Sequence, residues 1–199
     1  MNTENFTKTK EVIIFLESEY IPCLFEILKG KKSIFTSPML FQNSYTAVQV
    51  VADKSDQESK KLFEYYNQVI KNYIIDCKKK LIEEDESNLI DGFLLHTKNI
   101  KFFIYWIYSV FCYLDRFYTR SKEKTTLGKS AMDLYKTLFY EEFKSKIQDK
   151  IQNMKNEGEN ANKDTSEKIQ NVMEILEELN LEKPKIIKGP DNIMKWVAE

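Results

Sequence analysis

Few side chains in this sequence have the types and spacing that catalysis or metal binding requires. Among 199 residues there is one histidine, His96, and the three cysteines Cys23, Cys77 and Cys112 lie far apart with no CxxC pair. A structural zinc site needs four Cys or His ligands, commonly in closely spaced pairs. A lone histidine cannot supply a nucleophile, a base and an orienting group together. We therefore expect no metal, no cofactor and no catalytic residue, and we interpret His96 as a structural or surface residue.

Two short strings resemble functional motifs but lack essential parts. Leu127-Gly-Lys-Ser130 matches the end of a phosphate-binding loop, yet Glu123 stands where that motif needs its first glycine. The run Glu83 to Glu86 could attract a hard cation, but it lacks the glycine and the alternating oxygen ligands of a calcium loop. We interpret neither string as a ligand site, and the acidic run as a solvated turn.

The composition predicts a soluble, folded protein without nucleic-acid or membrane partners. Hydrophobic residues make up 42% and charged residues 31% of the chain, and the formal net charge is -1. Such a chain lacks the broad positive field that drives binding to nucleic acid. The longest apolar stretch, Phe102 to Leu114, is shorter than the roughly 20 residues that span a bilayer. Sparse cysteines without an N-terminal signal sequence indicate a reducing compartment, so we expect the cytoplasm, the nucleus or both.

The sequence pattern predicts an all-α fold. Only five glycines and four prolines occur, too few for the turns of a many-stranded β protein. Apolar residues recur at helical spacing in seven segments, and we expect a further short helix around Trp196. The predicted helices are 8–29, with a bend or break near Glu19 caused by Pro22, then 38–53, 55–78, 88–97, 99–119, 129–155 and 165–180. Ser37-Pro38 is a helix-start signal, and Asn99 can cap the fifth helix.

The fifth predicted helix has two different faces. At 100° per residue, one arc is an apolar stripe that faces the helix bundle, formed by Phe103, Ile107, Val110, Phe111, Leu114 and Tyr118. The other arc mixes aromatic, small and cationic residues, namely Tyr105, Ser109, Cys112, Tyr113, Arg116 and Arg120. These are the only two arginines of the chain. Aromatic residues and arginine are enriched at interface anchors, so this second arc could be a docking surface.

The second predicted helix also has more apolar surface than one buried face requires. The apolar residues of this helix fall on two neighbouring faces, one with Leu40, Ala47 and Val51 and the other with Phe41, Tyr45 and Val48. The surplus on both helices indicates either a thicker core or a docking surface, and the residues alone leave both possibilities open. In the core interpretation Tyr113 fills the bundle and Arg116 pairs with Asp115. We interpret Cys112 as a packing residue, because no neighbour in sequence would lower its pKa.

Several segments resemble the cullin family. Tyr113-Leu-Asp-Arg-Phe-Tyr-Thr-Arg120 resembles the motif that ends the fifth helix of the first cullin repeat. Phe41-Gln-Asn-Ser-Tyr-Thr-Ala-Val48 is similar to the second helix of cullins, and its Asn-x-Tyr-Thr-x-Val pattern is closest to the cullin-3 branch. Ala131-Met-Asp-Leu-Tyr-Lys-Thr-Leu138 resembles the segment that enters the second repeat. Met154-Lys-Asn-Glu-Gly-Glu159 and Gly189-Pro190 resemble later turns of the family, so the similarity extends from about Val12 onward.

The resemblance implies a binding site for a substrate adaptor. In cullins the second and fifth helices of the first repeat hold the adaptor, which is a BTB-fold protein in cullin-3-like members and a Skp-type protein in others. Four residues match adaptor contacts by position, Phe41, Tyr45, Tyr113 and Arg116, and Met39 and Leu40 match more weakly. Ser109, Cys112 and Arg120 complete the candidate site because they share the arc of Tyr113. Ser37 stands where the cullin-3 branch has an aromatic anchor, and Phe35 could replace it only if the loop shifts, so a Skp-type adaptor stays open.

The resemblance also implies a domain organisation. We expect an N-terminal extension at 1–11, a first cullin repeat at 12–126, and the incomplete start of a second repeat at 127–199. A complete cullin has three repeats and a C-terminal domain that recruits the RING-box subunit, so binding of that subunit would need a longer chain. We expect a fragment of a longer cullin or a truncated one, acting as a non-catalytic scaffold in a cullin-RING ubiquitin ligase. The alternatives are an unrelated helical docking module and a helical enzyme with an enclosed polar cleft.

Overall fold

The chain folds almost entirely into helices, which confirms the all-α fold class. The computed structural model describes residues 6–30, 38–156, 163–181, 184–189 and 193–198. The α-helices are α1 (Thr9–Phe15), α2 (Ile21–Leu28), α3 (Pro38–Ala52), α4 (Asp56–Glu83), α5 (Leu89–Leu114), α6 (Leu127–Tyr135), α7 (Glu141–Asn156) and α8 (Lys163–Glu178). A small hairpin of β1 (Pro184–Lys188) and β2 (Met194–Ala198) follows α8. No helix within these ranges combines the length and the apolar character that crossing a membrane requires.

Three stretches of wider, π-helical backbone adjoin the α-helices. They are Leu16–Tyr20 between α1 and α2, Asp115–Glu123 after α5, and Lys136–Tyr140 between α6 and α7. The first stretch lies directly before Pro22, whose ring removes one backbone hydrogen bond and crowds the preceding turn. The bend or break predicted near Glu19 coincides with this change of helix type, and regular α-helix resumes at Ile21.

The predicted break between a fourth and a fifth helix is wrong, because α5 runs without interruption from Leu89 to Leu114. Asn99 does not cap a new helix. The Thr97 hydroxyl is buried and lies 2.9 Å from the Tyr135 hydroxyl, so it is engaged with another helix. Ile100 is completely buried. Packing at these positions outweighs a capping signal that no glycine or proline reinforces.

The predicted short helix around Trp196 is also wrong, since this segment is strand β2. It pairs with β1 in an antiparallel register that sets Ile186 opposite Trp196. Ile186, Met194 and Trp196 are buried, whereas Lys185 is exposed. This two-residue period, with β-branched residues in both strands, favours a strand over a helix.

The chain divides into two compact units, one of residues 1–69 with 103–127 and the other of residues 70–102 with 128–199. Helices α4 and α5 contribute residues to both. The core of the first unit includes Val12, Leu16, Leu24, Ala47, Val48, Val51, Leu62, Tyr66, Phe103, Ile107 and Phe111. Within it, the Tyr20 hydroxyl donates to the Trp106 carbonyl at 3.0 Å. The predicted boundaries of the extension and the two repeats stay a prediction.

The core of the second unit is built around aromatic rings of α5, α6 and the π-helical stretch that follows α6. The Phe139 ring stacks with Phe93 at 5.7 Å and with Tyr135 at 5.6 Å between centroids. Helix α8 adds Val172 and Ile175, the turn after it adds Leu179, and the hairpin adds Ile186, Met194 and Trp196.

A buried ion pair joins α5, α8 and β2 in the second unit. The Lys101 ammonium donates to the Glu178 carboxylate, and both side chains are largely buried. The backbone N–H of Trp196 also donates to this carboxylate. Burial lowers the pKa of Lys101 and raises the pKa of Glu178, in each case against the opposing effect of the partner's charge. Each charge is thus costly to bury and depends on the other.

In the first unit, Glu58 connects the start of α1 to the start of α4. Its Oε2 atom accepts from the Thr9 backbone N–H at 2.8 Å and from the Thr9 hydroxyl at 2.7 Å. The Lys61 ammonium donates to Oε1 at 2.6 Å. The bond from Lys61, followed by those from Thr9, lowers the pKa of Glu58 from 4.5 to about 2.

We predict that Glu58 makes the fold sensitive to acid. Because its folded-state pKa is lowered, the carboxylate stabilises the fold fully above pH 4.5, and this stabilisation is lost as the pH falls toward 2. Glu58→Gln should lower the free energy of unfolding by about 1 kcal/mol at pH 7 and by much less near pH 2. Urea unfolding between pH 2 and pH 7 measures this loss of stability. The control is Glu64→Gln, which changes an exposed glutamate on the same helix. An equal loss at both pH values would contradict the prediction.

We also predict that Lys101→Met destabilises the protein by about 3 to 5 kcal/mol, because it leaves the Glu178 charge buried and unpaired. The double variant Lys101→Met with Glu178→Gln should recover most of this loss, since a neutral amide oxygen can still accept from Trp196. Equilibrium unfolding in urea compares the two variants. A double variant less stable than the single one would show that the pair is not the cause.

Candidate protein-binding site

The described surface of the first unit contains an open cleft between α3 and the end of α5, which we call the α3–α5 cleft. Its volume is about 630 Å³, and its lining residues are Tyr45, Tyr108, Cys112, Tyr113, Asp115, Arg116 and Arg120. Five of these, all except Tyr108 and Asp115, belong to the candidate site predicted from sequence. The two helices that the prediction needs together are therefore neighbours, and their aromatic residues share one opening.

The two arcs of α5 differ in burial as predicted. All six residues of the apolar stripe, from Phe103 to Tyr118, are buried, with at most 5% of any side chain exposed. On the second arc, Tyr105, Ser109, Cys112 and Tyr113 are half-buried, and Arg116 and Arg120 are exposed. The stripe thus fixes the rotation of the helix, and the second arc is left facing outward.

The residues of α3 named in the sequence analysis lie in different environments. Tyr45 is half-buried and lines the α3–α5 cleft. Leu40 and Phe41 point toward a smaller cavity beside Tyr20 and Leu24, where the Phe41 ring meets the Trp106 ring edge-on at 6.0 Å.

Two further residues of α3 named in the sequence analysis differ fully in exposure. Met39 is 73% exposed, and Val48 is completely buried. The surplus apolar surface of α3 is therefore partly core and partly accessible. Ser37 and Phe35, which bear on the choice of adaptor, lie outside the described residues.

Asp115 organises the end of α5 from inside the fold. Its Oδ1 atom accepts from the Thr119 hydroxyl at 2.8 Å and from the Leu127 backbone N–H at 2.6 Å. The Leu127 carbonyl in turn accepts from the Tyr66 hydroxyl at 3.0 Å. A carboxylate that accepts a free N–H at a helix start satisfies a donor that would otherwise lack a partner. This network holds the π-helical segment 115–123, which bears Arg116 and Arg120.

Tyr113 is held from two sides at the edge of the cleft. Its hydroxyl donates to the Asp53 carboxylate, just after the end of α3. Its ring lies 4.5 Å from the Phe117 ring. The hydrogen bond to Asp53 is the largest cause that raises the pKa of Tyr113 to about 12. The hydrogen bond and the ring contact thus fix both ends of the Tyr113 side chain at the edge of the cleft.

The remaining groups in the cleft offer directed polar contacts rather than chemistry. Burial raises the pKa of the Cys112 thiol, which agrees with its interpretation as a packing residue. The Ser109 hydroxyl donates to the Tyr105 carbonyl within α5 at 2.7 Å. Arginine has a planar donor fork that suits carboxylates. The cleft thus has aromatic walls and a cationic rim.

The other candidate motifs have structural explanations. Among the described residues, no cluster of three or more His, Cys, Asp or Glu side chains could hold a metal ion. His96 is buried, with its Nε2 atom 3.1 Å from the Glu84 carboxylate. A Cβ atom on Gly128 would lie 2.4 Å from the Pro184 carbonyl oxygen, so close packing accounts for the glycine of the phosphate-loop-like string.

Sequence reasoning missed Phe117, which is 58% exposed beside Tyr113. Phe117 follows Val110 by seven residues, and in a regular α-helix such residues lie within about 20° of each other. That step would place Phe117 on the buried stripe. The π-helical backbone from Asp115 turns less per residue than an α-helix, and so rotates Phe117 toward the open arc. No local signal in the sequence announces this change of helix type.

Comparison with protein families yields one match. The family described as the cullin alpha-solenoid domain matches residues 24–192, which is more than half of the chain. The chain belongs to the cullin family. Searches of curated proteins and of solved structures gave no match.

Membership of the cullin family excludes the alternative of an unrelated helical docking module. The cullin domain is a scaffold-type domain, and its partners are adaptor-type proteins. This cullin therefore carries its α3–α5 cleft on a domain whose role is to hold other proteins.

We predict that Asp115→Ala destabilises this cullin by about 2 kcal/mol or more, because the buried donors of Leu127 and Thr119 lose a charged acceptor. Asp115→Asn, which keeps a side-chain oxygen, should lose less. Thermal unfolding is the measurement, and for a chain of this size each kcal/mol corresponds to roughly 2 to 4 °C. Equal losses for the two variants would mean that the network does not depend on the acceptor oxygen.

Proposed function

We propose that this cullin chain is a non-catalytic scaffold segment of a cullin-RING ubiquitin ligase. In this proposal it binds a BTB-type substrate adaptor through α3 and the C-terminal part of α5. The observation that carries the proposal is the open α3–α5 cleft in a cullin domain, with Tyr45, Tyr113 and Arg116 around it. The chain acts in the cytoplasm, the nucleus or both.

The composition of the surface supports a protein partner. Tyrosine and arginine dominate the energetics of protein interfaces, and aromatic residues and methionine are enriched there. Phe117, beside Tyr113, is a further accessible apolar side chain at 58% exposure, and Met39, at the start of α3, is 73% exposed. Covering such groups removes apolar surface from water, which supplies the non-directional part of the affinity.

The charge of the rim supports an acidic partner surface. Arg116 and Arg120 are exposed around the cleft. Asp115, the carboxylate among the lining residues, is buried and accepts from Thr119 and Leu127. An adaptor that presents Asp or Glu side chains to this rim gains charge-assisted hydrogen bonds and faster association.

The size of the binding surface sets the expected affinity. A standard interface buries about 800 Å² on each partner, and a surface of that size with a few good anchors gives micromolar to nanomolar dissociation constants. Tyr45 and Tyr113 would form the covered centre, with Phe117 and the arginines at the edge.

A Skp-type adaptor is the second candidate. Ser37 supports it, because the cullin-3 branch has an aromatic anchor at the matching position. A binding panel of one BTB-fold domain and one Skp-type adaptor, measured by isothermal titration calorimetry, separates the two. Binding of the Skp-type protein alone would reject the BTB assignment, and binding of neither would reject the adaptor function.

We predict that Tyr113→Ala and Arg116→Ala each abolish measurable capture of the adaptor. Both residues match anchor positions, and truncation of such anchors costs about 2 kcal/mol or more of binding energy. Both side chains lie at the accessible edge of the fold, so thermal unfolding should change little, by about 1 to 2 °C.

The matched control is Lys122→Ala, which removes a cation of the same segment. The Lys122 ammonium pairs with Asp56 at 2.6 Å, and Lys122 is not among the lining residues of the cleft. This variant should bind like the wild type. Unfolding of the Tyr113 or Arg116 variants, rather than loss of binding alone, would favour the core interpretation of this arc.

A further inference from the structure

Asp53 lies where helix chemistry disfavours a carboxylate. Helix α3 ends at Ala52, and Asp53 follows directly. The C-terminus of a helix carries partial negative charge, so glycine, asparagine or a cation is the favoured neighbour there. The Asp53 carboxylate instead accepts a hydrogen bond from the Tyr113 hydroxyl of α5. The hydrogen bond from α5, rather than the end of α3, thus accounts for an aspartate at this position.

The backbone around Asp53 is fixed by hydrogen bonds on both sides. The Asp53 N–H donates to the Gln49 carbonyl at 3.0 Å, and the Lys54 N–H donates to the Val51 carbonyl at 3.2 Å. Two residues later, the Ser55 hydroxyl oxygen accepts from the Glu58 N–H and caps α4. The carboxylate therefore projects from a short, well-anchored connection between two helices.

We infer that Asp53 is a positioning residue for adaptor binding. Its carboxylate accepts a hydrogen bond from the Tyr113 hydroxyl and so holds the Tyr113 side chain in the orientation that binds the adaptor. This inference rests on the proposed adaptor function. The Phe117 ring limits the motion of Tyr113 on one side, and the Asp53 carboxylate fixes its hydroxyl end. A side chain that is already ordered loses less conformational freedom when a partner binds. Asp53 need not touch the adaptor to produce this effect.

The test uses the full chain and the BTB-fold adaptor domain that the wild type binds. Asp53→Ala should raise the dissociation constant about threefold to tenfold, which corresponds to the cost of immobilising one side chain. Asp53→Asn keeps an acceptor oxygen and should lose less. In a Tyr113→Phe background, where the hydroxyl is absent, Asp53→Ala should have no further effect on affinity.

A second readout reports the hydrogen bond itself. In the wild type the bond to Asp53 contributes most to the raised pKa of Tyr113, about 12. NMR titration of ring-labelled tyrosine should find that pKa lower in Asp53→Ala, with the other tyrosines unchanged. A general loss of structure would alter many tyrosine signals, so this measurement separates positioning from misfolding.

Two results would overturn the inference while leaving the proposed function intact. One is an Asp53→Ala variant that binds the adaptor as tightly as the wild type. The other is an additive loss in the Tyr113→Phe background, since Asp53 would then act independently of Tyr113. If the wild type binds no adaptor at all, the proposed function fails and this inference fails with it, and the wild-type titration alone identifies that case.

Discussion

The rotational setting of α5 is the constraint on which the candidate site depends. Six apolar residues of one stripe are buried together, and removing any large one from the core would cost several kcal/mol. Because side chains on a helix are fixed relative to one another, burial of the stripe leaves no freedom in the placement of the opposite arc. Tyr113 and Arg116 face outward because burial of Phe111 and Leu114 holds the opposite side of the helix in the core. The outward placement of the candidate site is thus a consequence of core packing rather than a separate feature.

Buried carboxylates act as connectors at the ends of the helices. Asp115 receives the amide at the start of α6 in the first unit, and Glu178 receives Lys101 and the Trp196 N–H in the second. Each is expensive to desolvate, and each is retained because it satisfies donors that would otherwise be buried without partners. Apolar packing fixes the helix faces, whereas these carboxylates fix the helix ends. The ends matter for the site, because the cationic rim lies on the segment that Asp115 anchors.

Much of this architecture could be predicted from sequence, because helical periodicity reports burial directly. The stripe of α5 and the segments of α1, α3, α6, α7 and α8 followed from the spacing of apolar residues. The predicted helix break at Asn99 is wrong. A capping residue favours a helix start by only about 1 kcal/mol, and the burial of Ile100 outweighs that preference. Strands β1 and β2 were missed from the sequence for a different reason. Their alternation is short, and β1 and β2 become stable only by pairing with each other.

Within the site, sequence placed the aromatic and cationic residues but not the groups that hold them. Asp53 and Tyr113 are sixty residues apart in the chain, and only the packing of α3 beside α5 brings them into contact. Phe41 shares the helix face of Tyr45, yet it lies toward a smaller cavity next to Trp106. Periodicity identifies a face of a helix, but it does not identify which neighbour covers each part of that face.

The change from α- to π-helical backbone at Asp115 widens the outward surface at the end of α5. In a continuous α-helix, Arg116 would face outward while Phe117 would turn back toward the stripe. With less rotation per residue, Asp115, Tyr118 and Thr119 are buried together, and Arg116, Phe117 and Arg120 are exposed together. The Phe117 ring thereby lies on the outward side, 4.5 Å from the Tyr113 ring. The π-helical segment thus carries both the buried carboxylate that accepts from Leu127 and the exposed apolar and cationic side chains, so one stretch of backbone serves the internal network and the outward surface.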